Sequence, residues 1–218
     1  MQFPDARILF FAKAPVAGQG KTRLAPLLGA QGAADLHTAC VRHTVAERCN
    51  ARLARLAPVI LYTTPGTSHP LFAELADRHP VAVRPQHGAD LGERMRNAAR
   101  DCLEEAGAVL LTGTDAPALR NEELLAALQA LHGGADVVMT PAEDGGYVLL
   151  GLRGDHPGLF SAMPWGGAQV AAMTRARCAA AGLQLVELPV CWDVDRPEDL
   201  ERLAAENPGF SAFRRFTQ

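Results

Sequence analysis

Residues 109–140, which read VLLTGTDAPALRNEELLAALQALHGGADVVMT, contain the pattern that sets the fold class. The apolar runs 109–112 and 137–140 predict two buried strands. Between them, apolar residues recur at helical spacing from about Asn121 to Leu131, and an Asn is a possible N-cap of this helix. A strand, a helix and a second apolar strand in this order predict a βαβ unit with parallel strands.

The same alternation continues on both sides of this unit. Before it, the pattern predicts strands at 8–12, 59–62 and 81–83 and helices at 33–49 and 91–106, with Gly107 as the stop of the second helix. After it, the turn Asp144-Gly145-Gly146 leads into a strand at 147–151 without a helix, so the sheet is expected to become mixed. The remaining predicted elements are a helix at 168–181, a strand at 185–188 and a helix from Pro197.

These elements predict an α/β fold. We expect a Rossmann-like three-layer sandwich, with a mostly parallel, mixed sheet that helices cover on both faces. The chain has 218 residues and 48% apolar side chains, which suffice to bury one core and scarcely two. A single domain over residues 1–218 is therefore predicted.

Charge and composition argue against several classes of partner. The formal net charge is -3 and the basic residues form no stripe, so we expect no binding to nucleic acid. The apolar run before Lys13 is too short for a secretory segment or a membrane span. The five cysteines form no Cys-x-x-Cys pair, which indicates neither a disulfide framework nor a thiolate zinc site. A cytoplasmic protein is expected.

The loop after the first strand has features of a phosphate-binding loop. Its end, Gly20-Lys21-Thr22, is similar to a Walker A motif, but that motif needs a glycine where this chain has Pro15, which lacks a backbone amide. We therefore reject a P-loop. Gly18 and Gly20 still permit close approach of a ligand, and the three cations of the loop suit a diphosphate: Lys13, Lys21 and Arg23. The alternative is a solvated basic loop.

Asp115 comes just beyond a predicted central strand. Open α/β sheets bind ligands at the carboxyl ends of their strands, so this carboxylate is the leading metal ligand. Mg²⁺ prefers one or two protein carboxylates together with phosphate and water oxygens, and Mn²⁺ is the other candidate. A turn or capping aspartate is the structural alternative, and a Walker B aspartate is the other functional one.

A second acidic cluster, Asp193-Val194-Asp195, lies between a predicted strand and the last helix. Either carboxylate could supply the other metal ligand. In an extended chain the two side chains point to opposite sides, so only one of them is expected to reach the metal. Glu198 and Asp199 are explained as first-turn acids that stabilise the helix dipole.

Two further loops contain candidate substrate contacts. In the turn from Asp144 to Tyr147, glycines allow a ligand to approach and Asp144 or Glu143 could receive an acceptor hydroxyl, although Asp-Gly is also an ordinary hairpin signal. In the loop 86–94, Gln86 could read a base edge and Arg94 could bind phosphate, or Asp90 could cap the following helix.

Histidines and one tryptophan complete the candidates. Six histidines show no paired spacing of metal ligands and are interpreted as structural or superficial: His37, His43, His69, His79, His132 and His156. Trp165, with two glycines after it, could form a wall for the acceptor or be buried beside a helix start.

In ordered combination, these motifs resemble the DUF2064 family, also called selenodomain-associated transferase 1 or arsenosugar-biosynthesis-type glycosyltransferases. The resemblance covers nearly the whole chain and rests on residues 11–18, 21–24, 91–94, 113–117, 144–147 and 193–200. It implies a nucleotide-diphospho-sugar transferase fold of the glycosyltransferase-A superfamily. The last segment also resembles the ending of molybdopterin and phospholactate nucleotidyltransferases.

The resemblance implies a metal-dependent transferase with a nucleotide-activated donor and a small-molecule acceptor. The main hypothesis is a glycosyltransferase that uses a nucleotide sugar. The alternative is a guanylyl- or cytidylyltransferase-like nucleotidyltransferase that releases pyrophosphate, and a P-loop-like NTPase or a noncatalytic nucleotide-binding module ranks below both. A glycosyltransferase-A site typically carries Asp-x-Asp, whereas this chain has Gly113 two residues before Asp115, a departure toward the nucleotidyltransferase arrangement.

The predicted site has three sets of residues. The expected metal ligands for Mg²⁺ or Mn²⁺ are Asp115, Asp193 and Asp195. The expected catalytic groups are Asp115 and Asp144. The expected substrate-binding residues are Lys13, Gly18, Lys21, Arg23, Gln86, Arg94, Gly145, Gly146 and Tyr147.

Overall fold

A seven-stranded sheet forms the centre of the computed structural model, which describes residues 1–49 and 56–214. The strands are β1 (Ala6–Lys13), β2 (Val59–Thr64), β3 (Val81–Pro85), β4 (Ala108–Gly113), β5 (Val137–Pro141), β6 (Tyr147–Leu152) and β7 (Leu185–Glu187). Their order is β3-β2-β1-β4-β6-β5-β7, and β6 is antiparallel to both of its neighbours while the other pairs are parallel. The predicted α/β class and the mostly parallel, mixed sheet are confirmed.

Helices cover both faces of the sheet. They are α1 (Ala25–Arg48), α2 (Pro70–Arg78), α3 (Leu91–Leu103), α4 (Asn121–His132), α5 (Val170–Ala180), α6 (Pro197–Glu206) and α7 (Ser211–Arg214). One core cluster joins α1, α2 and α4 to the sheet, and a second joins α3 and α5 to its other face. Along β1, Ile8 and Phe10 belong to the first cluster and Leu9 to the second, which explains the continuous apolar run of this strand.

Three local features differ from the predictions. Helix α1 begins at Ala25, before the predicted start near residue 33, because Pro26 suits a first turn, and non-helical Gly29 (φ 72°, ψ 167°) separates this short first turn from the main helix by a kink. Helix α2 was not predicted because its nine residues are fewer than the about 11–18 over which a helical period is read, although its buried apolar residues share one face. The N-cap of α4 is Arg120, whose backbone N–H donates to Glu123 Oε2 at 2.6 Å, and not an asparagine.

The strand order places a switch point at β1. The chain passes from β1 to β2 and β3 on one side and then returns to β4 on the other side of β1. Loops that follow β1 and β4 therefore diverge and leave a crevice at the carboxyl ends of these strands. A single domain over residues 1–218 stays a prediction. Within the described residues, none of the helices has both the length and the apolar character needed to cross a membrane.

Candidate functional site

A cavity of about 640 Å³ lies at the switch point. Its walls come from the end of β1 and its loop, the end of β4, the β5–β6 turn, the segment before α5, and the segment before α6. Four acidic and four basic side chains line it: Asp115, Asp144, Asp193 and Asp195, and Lys13, Lys21, Arg23 and Arg94. The structure therefore gathers charged residues that the sequence separates by up to 182 positions, from Lys13 to Asp195.

Asp115 follows β4 directly, and its carboxylate folds back over Gly113. A Cβ atom placed on Gly113 would collide with Oδ1 of Asp115, so a side chain at position 113 would displace this carboxylate. Residue 113 is the first position of the Asp-x-Asp motif in a glycosyltransferase-A site. Asp115 can therefore keep its present position only with a glycine at residue 113. At the end of β4, a single carboxylate stands where the Asp-x-Asp motif would have two.

Lys21 lies between Asp115 and the segment before α6. Its Nζ is 3.8 Å from Asp115 Oδ2 and donates to the carbonyl oxygen of Val194, and only 5% of its side chain is exposed. The backbone N–H of Val194 in turn donates to the carbonyl oxygen of Asp115 at 3.0 Å. Lys21 adopts a left-handed backbone conformation (φ 50°), which is uncommon for a residue with a side chain. This buried ammonium group connects the first loop to both acidic segments.

Arg23 forms a more exposed ion pair with Asp195. The side chain of Arg23 is 58% exposed and that of Asp195 is 33% exposed. Asp195 is also held through its backbone, because its N–H donates to Asp199 Oδ2 at 2.9 Å. Asp199 caps the first turn of α6, in agreement with its interpretation as a first-turn acid.

Asp193 is the most perturbed carboxyl group of the cavity. Burial, with the negative charges of Asp115 and Asp144 acting in the same direction, raises its pKa to about 6. Lys21 acts in the opposite direction. A buried carboxylate crowded by two others is stabilised by an added cation, so Asp193 is better suited than the Arg23-paired Asp195 to bind a metal beside Asp115.

The donor set fits a divalent metal that is shared with a substrate. Among residues 1–49 and 56–214, no group of three or more His, Cys, Asp and Glu side chains could hold a metal ion by itself. Mg²⁺ commonly binds through one or two carboxylates and completes its shell with phosphate oxygens and water. Asp115 and Asp193 provide this type of partial protein shell.

The cavity is also lined by three residues that were predicted to bind substrate: Lys13, Gln86 and Arg94. Lys13 donates from Nζ to the carbonyl oxygen of Gln19, and Arg94 donates from Nε to that of Gly88 at 3.1 Å. Neither cation pairs with a carboxylate in the described part of the chain. Gln86 uses its Nε2 on the backbone of Tyr62 and Ala12, so its amide oxygen is the atom left for a ligand.

The predicted glycines separate into two groups. Gly146 lines the cavity beside Tyr147, and its N–H donates to Asp144 Oδ1 at 2.9 Å, which closes the turn. Gly18 and Gly145 are not on the cavity wall. Gly145 (φ 91°) instead lies against the backbone of Ala168, where a Cβ atom would collide, and thus allows the segment before α5 to pack on the turn.

Burial raises the pKa of the Tyr147 hydroxyl above its usual value. Its ring contacts Trp165 edge to face, with centroids 6.4 Å apart. Trp165 also lies against Gly92 of α3, where a side chain would collide with the indole. Trp165 and the two glycines after it line the cavity together with Tyr147, and the predicted role of Trp165 as a wall for the acceptor stays a prediction.

Sequence reasoning missed several cavity residues, and two of them are polar side chains that contact the end of β1, His37 and Thr114. His37 lies on α1, and its Nε2 is 3.0 Å from the carbonyl oxygen of Lys13, although it was interpreted as structural or superficial. Thr114 donates from Oγ1 to the carbonyl oxygen of Phe11 at 3.4 Å. Thr114 could have been assigned to the site from the sequence because it precedes Asp115. Nothing in the local sequence connects His37 to Lys13.

The comparison with protein families identifies the chain. The DUF2064 family, described as an uncharacterized protein conserved in bacteria, matches residues 45–167. The chain belongs to the DUF2064 family. The matched range of this DUF2064 protein includes Asp115 and Asp144, while Lys13, Lys21 and Asp193 lie outside it.

Two relatives of this DUF2064 protein have named activities. It is 32% identical over 191 residues to a phosphoenolpyruvate guanylyltransferase of Rubrobacter xylanophilus, covering 85% of this chain and 87% of the relative. It is 33% identical over 196 residues to a phosphoenolpyruvate guanylyltransferase of Geodermatophilus obscurus, covering 87% and 84%.

A solved structure shares the fold of the DUF2064 protein. This structure, from Desulfovibrio desulfuricans G20, is described as a nucleotide-diphospho-sugar transferase. It is 32% identical, has a TM-score of 0.85, and covers 97% of this chain and 95% of its own. The predicted family, the nucleotide-diphospho-sugar transferase fold and the transferase class are confirmed.

Proposed function

We propose that this DUF2064 protein is a nucleotidyltransferase that transfers a nucleoside monophosphate, and specifically a guanylyl group, from a nucleoside triphosphate to a small acidic acceptor. An acceptor oxygen forms a bond to the α-phosphorus of the donor. The bond from this phosphorus to the oxygen that bridges to the β-phosphate breaks, and pyrophosphate leaves. The proposal prefers nucleotidyl transfer, which was the alternative hypothesis from the sequence, to glycosyl transfer, which was the main one.

One observation carries the proposal. Two separate segments each contribute one carboxylate to the cavity, Asp115 after β4 and Asp193 before α6, and burial together with the negative charge of Asp115 raises the pKa of Asp193. Gly113 leaves no Asp-x-Asp pair at the end of β4. The two phosphoenolpyruvate guanylyltransferases, similar over most of the chain, support the same assignment.

The charges of the cavity suit a triphosphate and an acid. Lys21 and Arg23 are paired with Asp115 and Asp195, whereas Lys13 and Arg94 have no carboxylate partner among the described residues. Lys13, at the end of β1, is the cation available for the donor phosphates. Arg94 is the cation available for the acidic group of the acceptor, and Tyr147 and Trp165 line the same cavity.

Asp115 and Asp193 are the residues that would hold Mg²⁺ or Mn²⁺ with the donor phosphates. When bound, such an ion supplies Lewis-acid stabilisation of the charge on the transferred and leaving groups. The chain itself contributes positioning and fixed positive charge, which are the main terms in phosphoryl-type transfer. Asp144, held in its turn by Gly146, is the candidate base for an acceptor hydroxyl, whereas a phosphate acceptor attacks through an oxygen that is already deprotonated and needs no base.

Glycosyl transfer is the second candidate because the Desulfovibrio desulfuricans G20 structure is described as a nucleotide-diphospho-sugar transferase. In that case the same cavity would bind a sugar nucleotide, and a nucleoside diphosphate would leave. The two candidates differ in the leaving group, which is directly measurable.

The test is an incubation of the full chain with Mg²⁺ or Mn²⁺, phosphoenolpyruvate and each of the four nucleoside triphosphates, with release of pyrophosphate and the mass of the product as readouts. A parallel series replaces the triphosphate with sugar nucleotides and measures nucleoside diphosphate. We expect pyrophosphate and a guanylylated product from GTP. Nucleoside diphosphate from a sugar nucleotide, without pyrophosphate from any triphosphate, would overturn the proposal in favour of glycosyl transfer.

A further inference from the structure

His37 is a cavity residue that the proposed function does not use. It lies on α1, and its Nε2 is 3.0 Å from the carbonyl oxygen of Lys13. A carbonyl oxygen only accepts hydrogen bonds, so Nε2 carries the hydrogen and donates it. The ring therefore holds the peptide group of the residue whose ammonium group is assigned to the donor phosphates.

The surroundings keep this ring neutral. Burial lowers the pKa of His37, and the positive charges of Lys21 and Lys13 lower it further, against the opposing effects of the Lys13 carbonyl and Asp115. With the hydrogen on Nε2, a neutral ring has a lone pair on Nδ1, which is buried and without a partner within the described ranges 1–49 and 56–214. Gly20 lies beside this atom, since a Cβ there would be 4.0 Å from Nδ1.

Three side chains converge on the last carbonyl groups of β1. Thr114 donates to Phe11 at 3.4 Å, Gln86 donates to Ala12 at 3.3 Å, and His37 donates to Lys13. These bonds come from β4, the loop after β3 and α1, so the end of β1 is held from three directions. Of the three, His37 is the one that holds Lys13 itself.

We propose that His37 is a positioning residue that orients Lys13 for the donor phosphates through its Nε2 hydrogen bond to the Lys13 carbonyl group. The inference rests on the proposed function, because it assigns Lys13 to the phosphates. His37 does not contact the reacting atoms in this proposal and acts only through Lys13. Its loss should therefore weaken donor binding and leave acceptor recognition unchanged.

The variants His37→Gln and His37→Asn separate this role from packing. A glutamine places an amide N–H near the position of Nε2, whereas an asparagine is too short to reach the Lys13 carbonyl group. We expect His37→Asn to bind GTP with Mg²⁺ about tenfold more weakly by calorimetry, the loss of about one good hydrogen bond. His37→Gln should remain within about threefold of the wild type, on the same scale of hydrogen-bond energies.

A matched control and a double variant complete the experiment. His43 is also on α1 but contacts Asn207 and Phe210 away from the cavity, so His43→Asn should not change GTP affinity. In a Lys13→Met background, adding His37→Asn should cause less than about a twofold further loss, because coupled residues are not additive. Additive losses, or wild-type affinity in His37→Asn, would overturn the inference while leaving the proposed function intact. If the wild type does not bind GTP, the proposed function fails and the inference with it.

Discussion

Two ion pairs lie on the wall of the same cavity, and they differ in burial and in what they connect. Lys21 is almost fully buried between Asp115 and the carbonyl oxygen of Val194, whereas Arg23 and Asp195 meet in a partly solvated position. A buried charge that loses its partner costs far more than an exposed one, since water solvates the latter. The comparison indicates that the Lys21–Asp115 pair holds the site together and that the Arg23–Asp195 pair contributes little to stability.

The largest effect is expected at Asp115, the acidic partner of the buried pair. Asp115→Asn removes the charge that would bind the metal but keeps an oxygen that can accept from Lys21. We expect activity and metal-dependent nucleotide binding to fall by about 100-fold or more, the scale for loss of a key electrostatic group in an active site. Calorimetry with GTP and Mg²⁺ measures this loss.

The fold should survive the same substitution. We expect Asp115→Asn to remain folded, with its unfolding temperature lowered by roughly 4–8 °C, or about 2 kcal/mol for a chain of this size, because the buried ammonium group of Lys21 loses its charged partner. Unchanged metal-dependent binding would remove Asp115 from the site.

Lys21→Met tests the basic partner of the buried pair. Methionine keeps the length of the stem but leaves Asp115 and the carbonyl group of Val194 without the ammonium group. Because Asp115 is 47% exposed, we expect a loss of about 2 kcal/mol in the free energy of unfolding, below the value for a fully buried pair. Urea unfolding checks the figure, and a loss below about 0.5 kcal/mol would show that the pair does not organise the site.

Gly113→Ala sharpens the comparison by moving Asp115 without changing any charge. The added methyl group collides with the end of a flexible side chain, so the carboxylate can turn away and the backbone can stay. We therefore expect activity to drop about tenfold, as for a misplaced catalytic group, with less than about 1 kcal/mol change in stability. Activity equal to that of the wild type would mean that the present position of Asp115 is not required.

Arg23→Gln is expected to have the smallest effect. The exposed pair with Asp195 contributes less than about 1 kcal/mol to stability, and salt should screen it. Urea unfolding of this variant and the wild type should therefore converge at about 1 M salt. A loss as large as that of Lys21→Met would contradict the distinction between the two pairs.

The sequence predicts the sheet well because its five inner strands are mostly buried on both faces and therefore appear as short apolar runs. It also predicts that β6 follows a tight turn, since Asp144-Gly145-Gly146 leaves no room for a helix. Helix α2 was not predicted because its nine residues are too few for a helical period to be read with certainty from the sequence. An element can be predicted from the sequence when a short stretch of residues shows the spacing of its buried side chains.

Only part of the arrangement of the candidate site could be predicted from the sequence. Asp115 and Asp193 could be placed at one edge because parallel strands bring their carboxyl ends together. His37 could not, because its contact with Lys13 depends on how α1 rotates against the sheet. Gly145 was predicted to contact a ligand, but residue 145 is a glycine because the backbone of Ala168 packs against it and leaves no space for a side chain. A local motif does not show which neighbour requires its glycine.

The contact of Lys21 with Val194 has a consequence for biosynthesis. The two residues are 173 positions apart, so Lys21 leaves the ribosome long before its partner exists. At a synthesis rate of about 5–20 residues per second, the interval is roughly 9–35 s. During that time Asp115 and Lys21 can meet, but Asp193 is missing and the pocket has only part of its acidic wall. The nascent chain can therefore acquire its sheet centre before it acquires a complete site.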